Sequence, residues 1–169
     1  MTNTVDIQVA APDAPRILEH LRSRPEMVAF MRGSVADRTV TARKSWLLSD
    51  DELDLGDWHV SLNDHGQQRL MTWAHEAAVL IEAHSHGVLG GPACFSTTDL
   101  DGLKIWVPHL RWRIPGVAYI ALVFGAETFD GLAWLPGASA VPVNEITFEQ
   151  TGSWHATGRS FARWEHSDG

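Results

Sequence analysis

Ala77-Ala78-Val79-Leu80-Ile81-Glu82-Ala83-His84-Ser85-His86 is the stretch whose reading decides the fold. Residues 77–84 are nearly continuously apolar, the pattern of a central strand covered on both faces. A loop bearing Gly and Pro follows over residues 87–95. Next comes a helix from about Ser96 to Val107, expected to stop at Pro108. Residues 117–124 and 129–135 flank a short turn at 125–128 and read as a hairpin. Residues 146–154 suggest a last strand.

Upstream, Val5, Ile7 and Val9 alternate with polar residues as a short strand does. Asp13 and Pro15 mark a helix start, and Ile17, Leu18 and Leu21 form its apolar stripe to about Ser23. Residues 27–33 are an apolar run ending at Gly33, read as a buried strand. Residues 39–48, rich in β-branched and aromatic side chains, are expected to pair with it. The acidic segment 49–57 reads as a solvated surface loop. Trp58, Val60 and Leu62 alternate as a further short strand. Asn63 or Asp64 then caps a helix carrying Leu70, Met71 and Trp73. Helices interspersed among strands in this order predict an α/β or α+β sheet with helices packed on it.

The 169 residues suit one domain, 1–169, without internal repeats, and 44% apolar content with eight Trp and six Phe is ample for a core. Thirteen Lys and Arg against 21 Asp and Glu give a formal charge of −8, which disfavours nucleic acid as a partner. A single Cys, Cys94, excludes an intrachain disulfide and fits a reducing compartment. The first residues lack the basic flank and apolar run of a signal peptide. Residues 117–124, the longest apolar stretch, fall far short of the ~20 needed to span a bilayer. The expectation is a soluble, cytoplasmic protein with no membrane partner.

The chemistry concentrates between Ile81 and Asp99. His84 and His86, two apart on a strand, leave one face and can converge on a single cation. Asp99 adds a carboxylate after a glycine-containing loop. Two imidazoles and one carboxylate leave a coordination position for water, the mark of a catalytic rather than a structural site. Each piece also has a plainer reading. A His pair on a strand is often hydrogen-bonded filler, and Ser96-Thr97-Thr98-Asp99 resembles a helix N-cap and first turn. The two readings of the Ser96 segment are compatible.

His84-Ser85-His86 followed by Ser96-Thr97-Thr98-Asp99 resembles the HxH and SxxD signature of the JAB/MPN (JAMM) zinc metalloproteases. Glu82, Pro92 and Thr98-Asp99-Leu100 resemble its prokaryotic JAB branch in particular. The resemblance, spanning roughly residues 24–135, implies a mixed curved β-sheet flanked by helices, of the cytidine-deaminase-like kind. It implies Zn2+ on His84, His86 and Asp99, with Ser96 stabilising the tetrahedral oxyanion. The upstream Glu that the family requires is matched by Pro25-Glu26 before an apolar strand. Glu26 is thus the expected general base. Glu82, on the strand face of both His residues, is the rival, expected instead to orient a ligand imidazole. The implied activity is hydrolysis of a peptide or isopeptide bond at the C-terminal tail of a ubiquitin-like protein or its conjugates. Activating and conjugating enzymes of the same system, including antiviral defence systems, are the implied partners. The chain departs from the family at Gly87, where Pro usually follows the second His, and in a longer loop before Ser96. Both departures bear on which substrates fit. Cytidine deamination in its usual form needs a Cys pair that this chain lacks. Two other readings share these residues: a non-catalytic scaffold that has no use for a metal, and an amidase acting on small sulfur-carrier proteins or amino-acid conjugates.

Overall fold

A computed structural model describes residues 3–24, 26–55, 60–86 and 91–167. Strand β1 (Val5–Val9) buries Val5, Ile7 and Val9 and exposes Asp6 and Gln8. It lies between β3 (Thr39–Leu47) and β9 (Val141–Phe148), parallel to both. Antiparallel to β3 runs β2 (Val28–Ala36), followed in order by β6 (Val79–Ser85), β7 (Ala118–Phe124) and β8 (Phe129–Trp134), which returns to β9. Because β1 joins the two outer strands, the sheet is a closed barrel of seven strands. An open curved sheet flanked by helices, the cytidine-deaminase-like arrangement expected above, is therefore corrected. Alternation in Val5–Val9 identified a strand with one buried face, but it carried no information about neighbours. Here both edges of that strand are paired, which removes the open edges of the sheet.

All seven strands contribute to one apolar cluster, which is thus the barrel interior. Helix α1 (Asp13–Arg22) joins the same cluster through Ala14, Ile17, Leu18 and Leu21, closing one mouth. The outer face of β2, β3 and β6–β8 forms a second cluster with α2 (Asp64–Ala74), α3 (Thr97–Arg113) and α4 (Arg159–Ser167). β6 and β7 are accordingly lined on both faces, as the apolar run predicts. The hairpin β7–β8 turns at Gly125, whose N–H donates to the Thr128 carbonyl. No helix among the described residues is long and apolar enough to cross a membrane.

Other local expectations shift. β2 does not end at Gly33 but bulges there and runs on to Ala36. α3 does not stop at Pro108. An interior proline costs about 3 kcal/mol, and burial of Leu100, Leu103, Val107 and Leu110 along one stripe opposes that cost. The segment expected as a solvated loop contains a short 3-10 helix (Asp50–Glu52) and β4 (Leu53–Leu55), paired with β5 (Val60–Leu62). Within it Glu52 is 1% exposed and accepts from Arg69, Trp46 and Ser49, so this acid is structural. The final strand is two, β9 and the antiparallel β10 (Gly152–His155). The N-cap of α2 is Asn63, which accepts from the Gly66 N–H. Trp58 and residues 87–90 lie outside the described residues.

At the bulge, a Cβ on Gly33 would sit 1.8 Å from the Thr41 carbonyl oxygen, whereas one on Gly102 in α3 would meet nothing within 4 Å. Gly33→Ala is expected to destabilise the protein by more than ~2 kcal/mol, lowering Tm by roughly 5 °C or more. Gly102→Ala should raise stability by about 0.5–1 kcal/mol. Thermal unfolding of the pair checks both signs.

Candidate metal centre

β6 directs Leu80, Glu82 and His84 to the outer face of the barrel, while Ile81, Ala83 and the buried Ser85 face in. Its end is held from both flanks. The Ser85 N–H donates to the Met27 carbonyl, the Met27 N–H donates to Ser85 Oγ, both at 3.0 Å, and the His86 N–H donates to the Phe124 carbonyl at 2.8 Å. His86 is thereby fixed one residue past the strand. The Phe95 ring, 5.5 Å from that of His84, packs beside it.

Asp99 arrives from the other side, as the third residue of α3. Ser96 caps that helix, its Oγ accepting from the Asp99 N–H at 3.2 Å. Asp99 Oδ2 returns the contact, accepting from the Ser96 N–H at 2.8 Å and from its hydroxyl at 2.7 Å. This reciprocal box locks the carboxylate rotamer. The segment leading into it is strapped down by α4 and by Thr157 just before it. Ser160 Oγ accepts from the Phe95 N–H, Arg163 donates to the Phe95 carbonyl, and Thr157 donates to that of Ala93. The first turn of α4 is in turn anchored on the buried Asp130, which accepts from the Gly158 and Ser160 N–H groups at 3.1 and 2.7 Å.

Three donor atoms converge as a result. His84 Nε2 and His86 Nε2 are 3.2 Å apart, and Asp99 Oδ2 lies 3.7 and 3.3 Å from them. A tetrahedral ion with bonds near 2.0–2.1 Å requires ligand atoms about 3.3 Å apart. The triangle fits one face of that tetrahedron, and the three side chains are 15–27% exposed. A cation would engage one lone pair from each of the three groups at once. The cluster can therefore hold a metal ion.

The charge state is consistent with that chemistry. Burial opposes ionisation of Asp99, but hydrogen bonds from His84, His86 and Ser96 outweigh it and hold the carboxyl well below the ordinary carboxylate range. The hydrogen bond to Asp99 raises the pKa of His86 above its ordinary value against the effect of burial, helped by the charges of Asp99 and Glu26.

Glu26 comes to the site through strand register. Val28 pairs with His84, so the chain preceding β2 runs alongside the end of β6 and brings Glu26 into the electrostatic range of His86. Ser96 and Glu82 have other partners than expected. The Ser96 hydroxyl donates to Asp99 Oδ2 and so orients that carboxylate. Glu82 accepts from Tyr119, and not from either imidazole. Burial, together with the Glu82 charge and hydrogen bond, pushes the Tyr119 phenol well above its ordinary pKa, keeping it a donor. Asp130, Ser160 and Arg163 went unnoticed in the sequence. The signal available was Thr157-Gly158-Arg159-Ser160 ahead of Phe161 and Trp164, a helix start.

No protein-family profile and no curated protein matches the chain. Among solved structures, it is similar to the solution structure of protein DSY2949 from Desulfitobacterium hafniense, at 16% identity and a TM-score of 0.50. The match covers 85% of this chain and 92% of that one. A likeness at that identity bears on the fold alone.

The raised pKa of His86 sets a sign. In the metal-free protein the His86–Asp99 pair contributes stability that is fully present below the ordinary histidine value of 6.5 and is lost as pH rises through the raised one. Metal requires the neutral imidazole, so binding expels the proton. Zn2+ affinity is expected to climb between about pH 6 and 8, with proton release measurable by calorimetry in buffers of different ionisation enthalpy. Asp99→Asn should bind more weakly and with a shallower pH dependence.

Proposed function

We propose that this protein is a metal-dependent hydrolase of the JAMM type. It cleaves a peptide or isopeptide bond at the C-terminal tail of a ubiquitin-like protein or its conjugates. The observation that carries the reading is the convergence of His84 Nε2, His86 Nε2 and Asp99 Oδ2 within 3.2–3.7 Å, with Glu26 within electrostatic range of His86. Two nitrogens and one carboxylate oxygen favour Zn2+ over harder ions, which take all-oxygen sites. The HxH and SxxD residues that resemble the JAMM signature are the same side chains that meet here. Activating and conjugating enzymes of such a system would be its functional neighbours.

An ion in this site would supply Lewis acidity and lower the pKa of water toward about 7. The protein supplies the rest. His84 and His86 present Nε2 lone pairs from a strand end fixed by backbone hydrogen bonds on both sides. Asp99 stays anionic, held by the Ser96 N–H and hydroxyl. Glu26 takes the proton of the attacking water and returns it to the departing nitrogen. Partial exposure of all three donors leaves room for an extended chain to reach the scissile position. A scaffold does not require three ligating atoms at the spacing of a tetrahedral ion, so the catalytic reading is preferred.

Incubation with a ubiquitin-like protein carrying a C-terminal extension tests the proposal directly. Cleavage should vanish with chelator, return with Zn2+, and fall by about 10²–10⁴-fold in Glu26→Gln. Hydrolysis that persists without metal, or an undiminished Glu26→Gln variant, would refute it.

A further inference from the structure

At the mouth of the barrel closed by α1, a cavity of about 410 Å³ opens between the end of that helix, the β7–β8 turn and Trp154. Leu18, Leu21, Phe124 and Trp154 give it apolar walls. Two features tie it to the metal ligands. Ser85, which lies between His84 and His86, lines the cavity on the inner side of the strand. Phe124, another wall residue, accepts the His86 N–H. Cavity and donor cluster therefore occupy opposite faces of the same strand end.

The rim carries an unbalanced charge. Arg22 lies over the Trp154 ring, its guanidinium carbon 5.4 Å from the ring centroid. Among the described residues no carboxylate pairs with it, whereas its neighbour Arg24 is occupied by two hydrogen bonds of 2.8 Å to Asp50. Glu19 and Arg22 both line a second depression beside α1, without an ion pair between them. In a chain of net charge −8, a guanidinium over an indole at the edge of an apolar cavity is suited to a carboxylate.

We infer that this cavity is a substrate subsite for an apolar residue accompanied by a carboxylate, the side chain resting between Leu18, Leu21 and Trp154 and the anion on Arg22. As a substrate subsite it rests on the hydrolase reading above, and it adds a preference for a substrate bearing an anionic group. The carboxylate is either a terminal one or that of an adjacent acidic side chain.

The test uses metal-free protein, so that binding in the cavity is read apart from hydrolysis. Isotope-labelled protein is titrated with N-acetyl-leucine, with N-acetyl-leucyl-glutamate amide, and with neutral N-acetyl-leucinamide, following the amides of Ser85 and Gly125 and the Trp154 indole by NMR. One or both acids should produce saturable shifts at these positions, and which acid binds identifies the source of the carboxylate. The neutral amide should bind at least about tenfold more weakly. Arg22→Met should lose a similar factor and Arg22→Lys part of it, while Zn2+ titration of both variants stays unchanged. Equal binding of acid and amide, shifts confined to other regions, or undiminished binding by Arg22→Met would overturn the subsite. Conversely, His84→Ala should abolish Zn2+ binding and leave the acid-induced shifts intact, so failure of the metal reading shows separately.

Discussion

The parallel placement of β1 between β3 and β9 is the constraint on which the rest of the molecule depends. It turns a sheet with two open edges into a closed wall, and the enclosed volume is filled by aliphatic and aromatic side chains with α1 across one mouth. A filled interior has no place for imidazoles or a carboxylate, since burying such groups without partners costs several kcal/mol. Chemistry is thereby confined to the outer face and to the strand ends. The end of β6 is where an outward-facing histidine, a strand terminus and the start of a helix coincide.

That coincidence gives Asp99 two roles. As the third residue of α3 it closes the capping box with Ser96, and as a donor atom it completes the triangle with His84 and His86. The helix start favours the anion, and the anion holds a proton on His86 when no metal competes for it. The backbone before Ser96 is fixed by Ser160 and Arg163 on α4, and α4 by the buried Asp130 on β8. Ligand geometry thus depends on an element more than sixty residues downstream, through a chain of short hydrogen bonds. Such coupling positions the donor set before any ion arrives, and a preformed set limits the reorganisation that binding demands.

The outer face beside the site is dominated by aromatic packing. Tyr119 is fully buried with its hydroxyl on Glu82, and Phe30, Trp46 and Trp73 continue the layer toward Arg32 and Arg69. Glu82 therefore belongs to the support beneath His84. It stabilises a polar contact in an apolar layer and leaves both imidazoles to the cation.

Sequence alone determined much of this. The apolar run ending in His84-Ser85-His86 specified a central strand carrying two donors on one side, because strand side chains alternate with a period of two. The Ser96–Asp99 spacing specified a helix start, because the orphan N–H groups there need a cap. Only the tertiary structure decided that β1 closes the sheet, that α3 runs through Pro108, that Glu52 is buried, and that α4 straps the site. Each of these depends on partners distant along the chain. Alternation and capping are written in neighbouring residues, whereas pairing partners and burial emerge only when the whole chain has packed.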